Sequence, residues 1–122
     1  MSAASRGPVV LLHNPRCSKS RAALALLETR GHPHEVRLYL EEPLDRAELD
    51  GLVERLGGDA RALVRLGDGL FAEAGGKQDD NAHALLDLVA REPRLLQRPV
   101  VDDGQEALIA RPPTSLDDWL DG

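Results

Sequence analysis

The stretch 8–40 constrains this fold more than any other, because it reads as strand, tight turn, helix and strand with almost nothing between them. Pro8 to His13 (PVVLLH) is a short, nearly continuous apolar run bounded by Gly7 and by Asn14-Pro15, the pattern of a buried strand. From Ser18 to Arg30 the residues Ala22, Ala23, Leu26 and Leu27 recur at helical spacing, and Gly31 follows as a stop signal. His34 to Leu40 (HEVRLYL) alternates Val36, Leu38 and Leu40 against Glu35, Arg37 and Tyr39, which predicts a second strand with one wetter face. A right-handed crossover makes two such strands parallel.

The rest of the chain reads as helices followed by a hairpin. Asp45 is placed as an N-cap with Glu48 three residues on, and Leu49, Leu52, Val53 and Leu56 line one helical face before Gly57-Gly58. A short helix is expected over Asp59 to Leu66. The Gly-rich LGDGLFAEAGGKQDD that follows carries little pattern until a helix resumes near Asn81 to Arg91. Pro99 to Val101 and Ala107 to Ala110 are brief strands around the Asp103-Gly104 turn, and Ser115 to Leu120 is a closing helix capped by Thr114 or Ser115. The order βαβ, helices, ββα predicts one α/β domain over 1–122, with a helical insertion at about 45–96 between strands two and three.

Such a core must be aliphatic, since the chain has one Trp, one Tyr and one Phe among its 122 residues. Fifteen Lys and Arg against 21 Asp and Glu leave a formal charge of -6, which repels a phosphate backbone or an anionic bilayer, so neither nucleic acid nor membrane is expected as a partner. No apolar run approaches the roughly 18 residues of a membrane span, and MSAASRGP lacks the apolar core of a signal peptide, which points to the cytoplasm. A monomer with no bound cofactor is expected. One cysteine cannot close an internal disulfide, so a redox cycle has to borrow a second sulfur. The histidines at 13, 32, 34 and 83 show no metal-ligand spacing with it.

That cysteine, Cys17, falls just after the first strand and just before the first helix, where unpaired N–H groups from about Ser18 to Arg21 point toward its sulfur. Helix N-termini and neighbouring cations lower a thiol pKa, and Arg16, Lys19 and Arg21 are close in sequence. A lone cysteine is more often a small buried hydrophobe, but the polar run Arg16, Ser18, Lys19, Ser20 offers no apolar place to hide it. Ser20 is positioned either to donate its hydroxyl to the thiolate or to serve as an ordinary first-turn residue. His13 either assists ionisation or is a buried, backbone-satisfied histidine, and Asn14 is a candidate brace for the loop. Arg98 and Arg111 each precede a proline at a strand end, where the chain is held extended, and rigid guanidinium forks suit a tetrahedral oxyanion. Arg65, at the end of a helical segment, is a third candidate. Arg98-Pro99 is a candidate cis peptide.

HNPRCSKSR near the start, YLEEP after the second strand, RALVR, QRPVV and ARPP together resemble the glutaredoxin-coupled arsenate reductase family, over about Val9 to Leu120. The resemblance implies a thioredoxin-like fold with a helical insertion. It also implies a cycle in which the Cys17 thiolate attacks arsenate, glutathione adds to the arsenic adduct as co-substrate and second thiol, and glutaredoxin resolves the mixed species to release arsenite. By the same resemblance Arg65, Arg98 and Arg111 are the oxyanion-binding arginines, and His13, Asn14 and Ser20 match the motif around the nucleophile. Arg16, Ser18 and Lys19 differ from the best-known members, and 67–80 looks shortened. Two other readings remain open: a glutathione-dependent thiol/disulfide oxidoreductase, and a transcription regulator of the same fold. Regulators of that kind carry a Cys-x-x-Cys switch, and Ser20 holds its second position here.

Overall fold

A computed structural model of the chain describes residues 6–122; the expectation about the N-terminal leader rests partly on residues 1–5, which lie outside the described residues. The fold is α/β and thioredoxin-like, with a four-stranded sheet in the order β2-β1-β3-β4. Its strands are β1 (Val9–Leu12), β2 (His34–Arg37), β3 (Val100–Asp102) and β4 (Ala107–Ile109). β1 and β2 run parallel, with Leu11 opposite Val36, as the right-handed crossover predicts. β3 lies antiparallel to β1, and β4 antiparallel to β3.

The chain divides into two compact units: the described residues up to Leu38 together with Arg98–Gly122, and Tyr39–Gln97. The first unit contains the sheet and two helices, α1 (Ser18–Arg30) and α5 (Ser115–Asp121). Val9 and Leu11 of β1, Ala23 and Leu27 of α1, Val101, Ala110, and Leu116 and Leu120 of α5 form its core, all of it aliphatic. Gly31 ends α1 in the left-handed conformation (φ 64°), which a residue without a Cβ adopts freely, and its N–H closes onto Glu28. Arg30 then reaches Asp117 of α5 at 3.0 Å. Arg6 stacks 3.8 Å above the ring of Trp119 and pairs with Asp103 and Glu106.

The second unit holds α2 (Arg46–Arg55), α3 (Gly69–Glu73) and α4 (Ala82–Arg91), with 3-10 turns at Arg61–Leu63 and Pro93–Leu95. α2 begins with the expected capping box: the Asp45 carboxylate accepts the Glu48 N–H, and the Glu48 carboxylate accepts the Asp45 N–H. Asn81 caps α4 by a single bond, its side-chain oxygen accepting the Ala84 N–H.

Four expectations need correction. β2 stops at Arg37, so the alternation expected through Leu40 breaks: Tyr39 is buried, while Val36 on the edge strand and Leu40 are exposed. Tyr39 instead lines a small cavity of the second unit with Leu44, Leu49, Val89, Pro93 and Leu96. The helix expected over Asp59 to Leu66 contracts to the single 3-10 turn at Arg61–Leu63. Within the Gly-rich stretch, α3 forms because Asp68 caps it through the Leu70 N–H and Phe71 is buried. At α5, Thr114 already has helical backbone and makes no side-chain cap; the Ser115 hydroxyl donates back to the Pro112 carbonyl at 2.7 Å.

Candidate active site

Cys17 is the N-cap residue of α1, with extended backbone (φ -93°, ψ 122°). The loop before it is tied by its own residues. The Asn14 carbonyl accepts the Cys17 N–H at 3.0 Å, the Asn14 side-chain oxygen accepts the Arg16 N–H at 3.0 Å, and the Arg21 guanidinium donates to the Pro15 carbonyl at 2.8 Å. Asn14 therefore braces the turn. Arg21, weighed from sequence only as a nearby cation, is a second brace; its reach from the first turn of α1 back over the loop leaves no mark in residue spacing.

The sulfur is half-buried, and burial by itself pushes the thiol pKa up. The backbone N–H groups of Ser20 and Lys19 and the Arg98 guanidinium, which hydrogen-bonds the sulfur and sets its charge beside it, outweigh that effect. The net result is a thiol held below its ordinary pKa, as expected of a cysteine at a helix mouth. The leading cation is Arg98, which stands just before β3, and not one of the sequence neighbours Arg16, Lys19 and Arg21. No acidic residue stands in the first turn of α1 to compete for these donors.

Beneath the sulfur, Ser20 is fully buried. Its hydroxyl oxygen accepts the Asn14 N–H at 3.0 Å and lies 2.7 Å from Nδ1 of the buried His13. The serine thus meets the sulfur through its backbone N–H, while its side chain ties the end of β1 to the first turn of α1. Burial, with the Arg21 charge adding to it, lowers the His13 pKa and favours the neutral imidazole. A neutral ring acts here as a hydrogen-bond partner and does not supply the positive charge that a histidinium would.

On the sheet side, β3 and β4 bring Arg98 and Arg111 together. Val100 pairs with Ile109, the Ala110 N–H donates to the Pro99 carbonyl at 2.9 Å, and Arg98 and Arg111 follow at the next position along each chain. Nη1 of Arg111 donates to the Arg98 carbonyl at 3.0 Å. Both arginines precede a cis-proline, at Arg98-Pro99 and at Arg111-Pro112; the second was not anticipated. His13, Asn14, Cys17, Ser20, Arg98 and Arg111 all belong to the first unit. Arg65 belongs to the second, where its guanidinium pairs with Asp68 and donates to the Arg94 carbonyl at 3.2 Å. Among the described residues no group of three or more His, Cys, Asp or Glu is placed to hold a metal ion, and no helix is long and apolar enough to cross a membrane.

A half-buried thiol whose ionisation is favoured by helix N–H groups and by the Arg98 guanidinium is equipped to attack an electrophilic centre carried on an anion. Comparisons with known proteins point the same way. The family model described as the ArsC family matches residues 12–119. An arsenate reductase of Neisseria meningitidis is 46% identical over 107 residues, spanning 85% of this chain and 91% of the relative. One of Haemophilus influenzae is 36% identical over 110 residues, 88% of this chain and 95% of the relative. Among solved structures, an arsenate reductase from Vibrio cholerae superposes with a TM-score of 0.85 at 37% identity, covering 93% of this chain and 98% of that one.

Proposed function

The chain belongs to the ArsC family, and from that premise we propose that it reduces arsenate through the Cys17 thiolate, with glutathione as the second thiol and glutaredoxin as the resolving partner. The observation that carries this reading is the sulfur itself, whose pKa the Ser20 and Lys19 N–H groups and Arg98 hold below the ordinary thiol value against the opposing effect of burial. The thiolate attacks arsenic and an oxygen leaves as water, so Cys17 and arsenic share a bond. Glutathione brings the second sulfur. Two thiols then lose two electrons as a sulfur–sulfur bond forms, and arsenic(V) leaves as arsenite, arsenic(III). The glutaredoxin thiol takes up the glutathione moiety and restores Cys17.

This stoichiometry fits a chain with one cysteine, because a two-electron reduction consumes two thiols and only one is in the sequence. Arg98 and Arg111 supply fixed donors that favour an oxyanion and the charge that gathers on it as the adduct forms. His13, Ser20 and Asn14 hold the turn that presents the sulfur.

The test couples purified protein to glutathione, glutaredoxin, glutathione reductase and NADPH. Arsenate-dependent NADPH consumption that vanishes in Cys17→Ser is the expected result. Turnover of a mixed disulfide of glutathione, with none of arsenate, transfers the site to general thiol/disulfide exchange; no Cys17-dependent turnover of either oxidant removes the enzymatic reading.

A further inference from the structure

Arg98 and Arg111 lie at the open end of the β3–β4 hairpin, each two residues beyond the last paired positions, Val100 and Ile109. The backbone ladder between β3 and β4 makes its last rung from the Ala110 N–H to the Pro99 carbonyl. Beyond it the Arg111 N–H bonds the Ile109 carbonyl of its own strand at 2.9 Å, and at the next hydrogen-bonding position stands Pro112, which has no N–H to give. The Arg111 side chain makes the tie instead, its Nη1 reaching the Arg98 carbonyl at 3.0 Å. A guanidinium thus joins the two chain segments past their last backbone bond, at the residue whose own side chain acts on the Cys17 sulfur.

We propose that Arg111 is a positioning residue: by anchoring the Arg98 carbonyl it aims the Arg98 guanidinium at Cys17, so that activation of the nucleophile depends on a side chain that need not touch the sulfur. The inference deepens the proposed function by giving Arg111 a task that precedes substrate. An arginine has five N–H donors, and one spent on the Arg98 carbonyl leaves four for an anion, so the two tasks are compatible. The groups facing the sulfur are the Ser20 and Lys19 N–H groups from α1 and the Arg98 guanidinium from the end of β3. Only the last is held by Arg111.

The test is a double-mutant cycle read by the rate of Cys17 alkylation with iodoacetamide across pH, in the absence of arsenate. Arg98→Ala should move the midpoint upward and slow alkylation about three- to tenfold on the acid side. Arg111→Ala should shift it in the same direction, and Arg111→Ala added to Arg98→Ala should shift it no further. Should Arg111→Ala fail to fold, Arg111→Met keeps the aliphatic stem, removes the donor and gives the same reading. Two outcomes overturn the proposal: a wild-type midpoint in the Arg111 variant, or shifts that add in the double variant, which would mean that Arg111 acts by its own charge. Alkylation involves no arsenic, so the cycle stands or falls separately from arsenate turnover.

Discussion

Two helices of this protein begin in opposite ways. At the start of α2, the Asp45 carboxylate takes the Glu48 N–H and the Glu48 carboxylate returns to the Asp45 N–H, so the helix mouth is closed by its own side chains. At the start of α1 the N-cap is Cys17, which makes no side-chain cap, and the first turn has no acidic residue. The N–H donors that carboxylates take up in α2 act in α1 on the Cys17 sulfur, lowering its pKa without closing a cap hydrogen bond. A helix N-terminus offers the same partial positive charge in either setting. What differs is whether the chain spends it on stability or keeps it for a reacting group.

The largest expected effect comes from converting one start toward the other. Cys17→Ser installs a good cap and removes the nucleophile: arsenate turnover should fall by at least about a thousandfold, while stability in urea holds or rises by up to ~1 kcal/mol. Turnover that survives would place the chemistry elsewhere. Next in size, Arg98→Ala should weaken binding of arsenate or sulfate by about 1.5 to 3 kcal/mol, measured by calorimetry, since it removes charge-assisted hydrogen bonds. Unchanged affinity would strip the α1 mouth of its anion-binding role. Asp45→Ala is the mirror experiment: it should cost about 1 kcal/mol of stability and leave the Cys17 alkylation midpoint where it was.

The smallest effect concerns His13. Its folded pKa lies below the ordinary histidine value of about 6.5, so well above that pH both folded and unfolded forms are neutral and its contribution is complete. As pH falls below that, the unfolded chain takes up the proton first, and stability is lost down through the folded pKa. Urea midpoints at pH 7.5 and 5.5 should therefore lie closer together in His13→Gln than in wild type. An equal separation would mean that the imidazole is not held neutral beneath the nucleophile.

What the sequence disclosed follows from what is local. α1 was legible at both ends because a strand, a turn and Gly31 punctuate it, and the Asp45–Glu48 box is written within four residues. The exposure of Val36 and the burial of Tyr39 were not legible, because they depend on where β2 stops, and alternation alone carries no stop signal there. α3 escaped because a five-residue helix held by one cap and one buried Phe71 is too short to show a period. At the site, spacing pointed to Arg16, Lys19 and Arg21 as the cations on the sulfur; the one that reaches it, Arg98, is 81 positions away and arrives only through the pairing of β1 with β3. The bond from Arg111 to the Arg98 carbonyl is likewise a product of strand register.

The stacking of Arg6 on Trp119 also makes the molecule an instrument. The chain has a single indole, so its emission comes from one place, under the guanidinium of the first described residue and at the end of α5. Any event that lifts Arg6 from that ring changes the colour or brightness of the indole emission, with no dye attached and only Tyr39 to exclude by the choice of excitation.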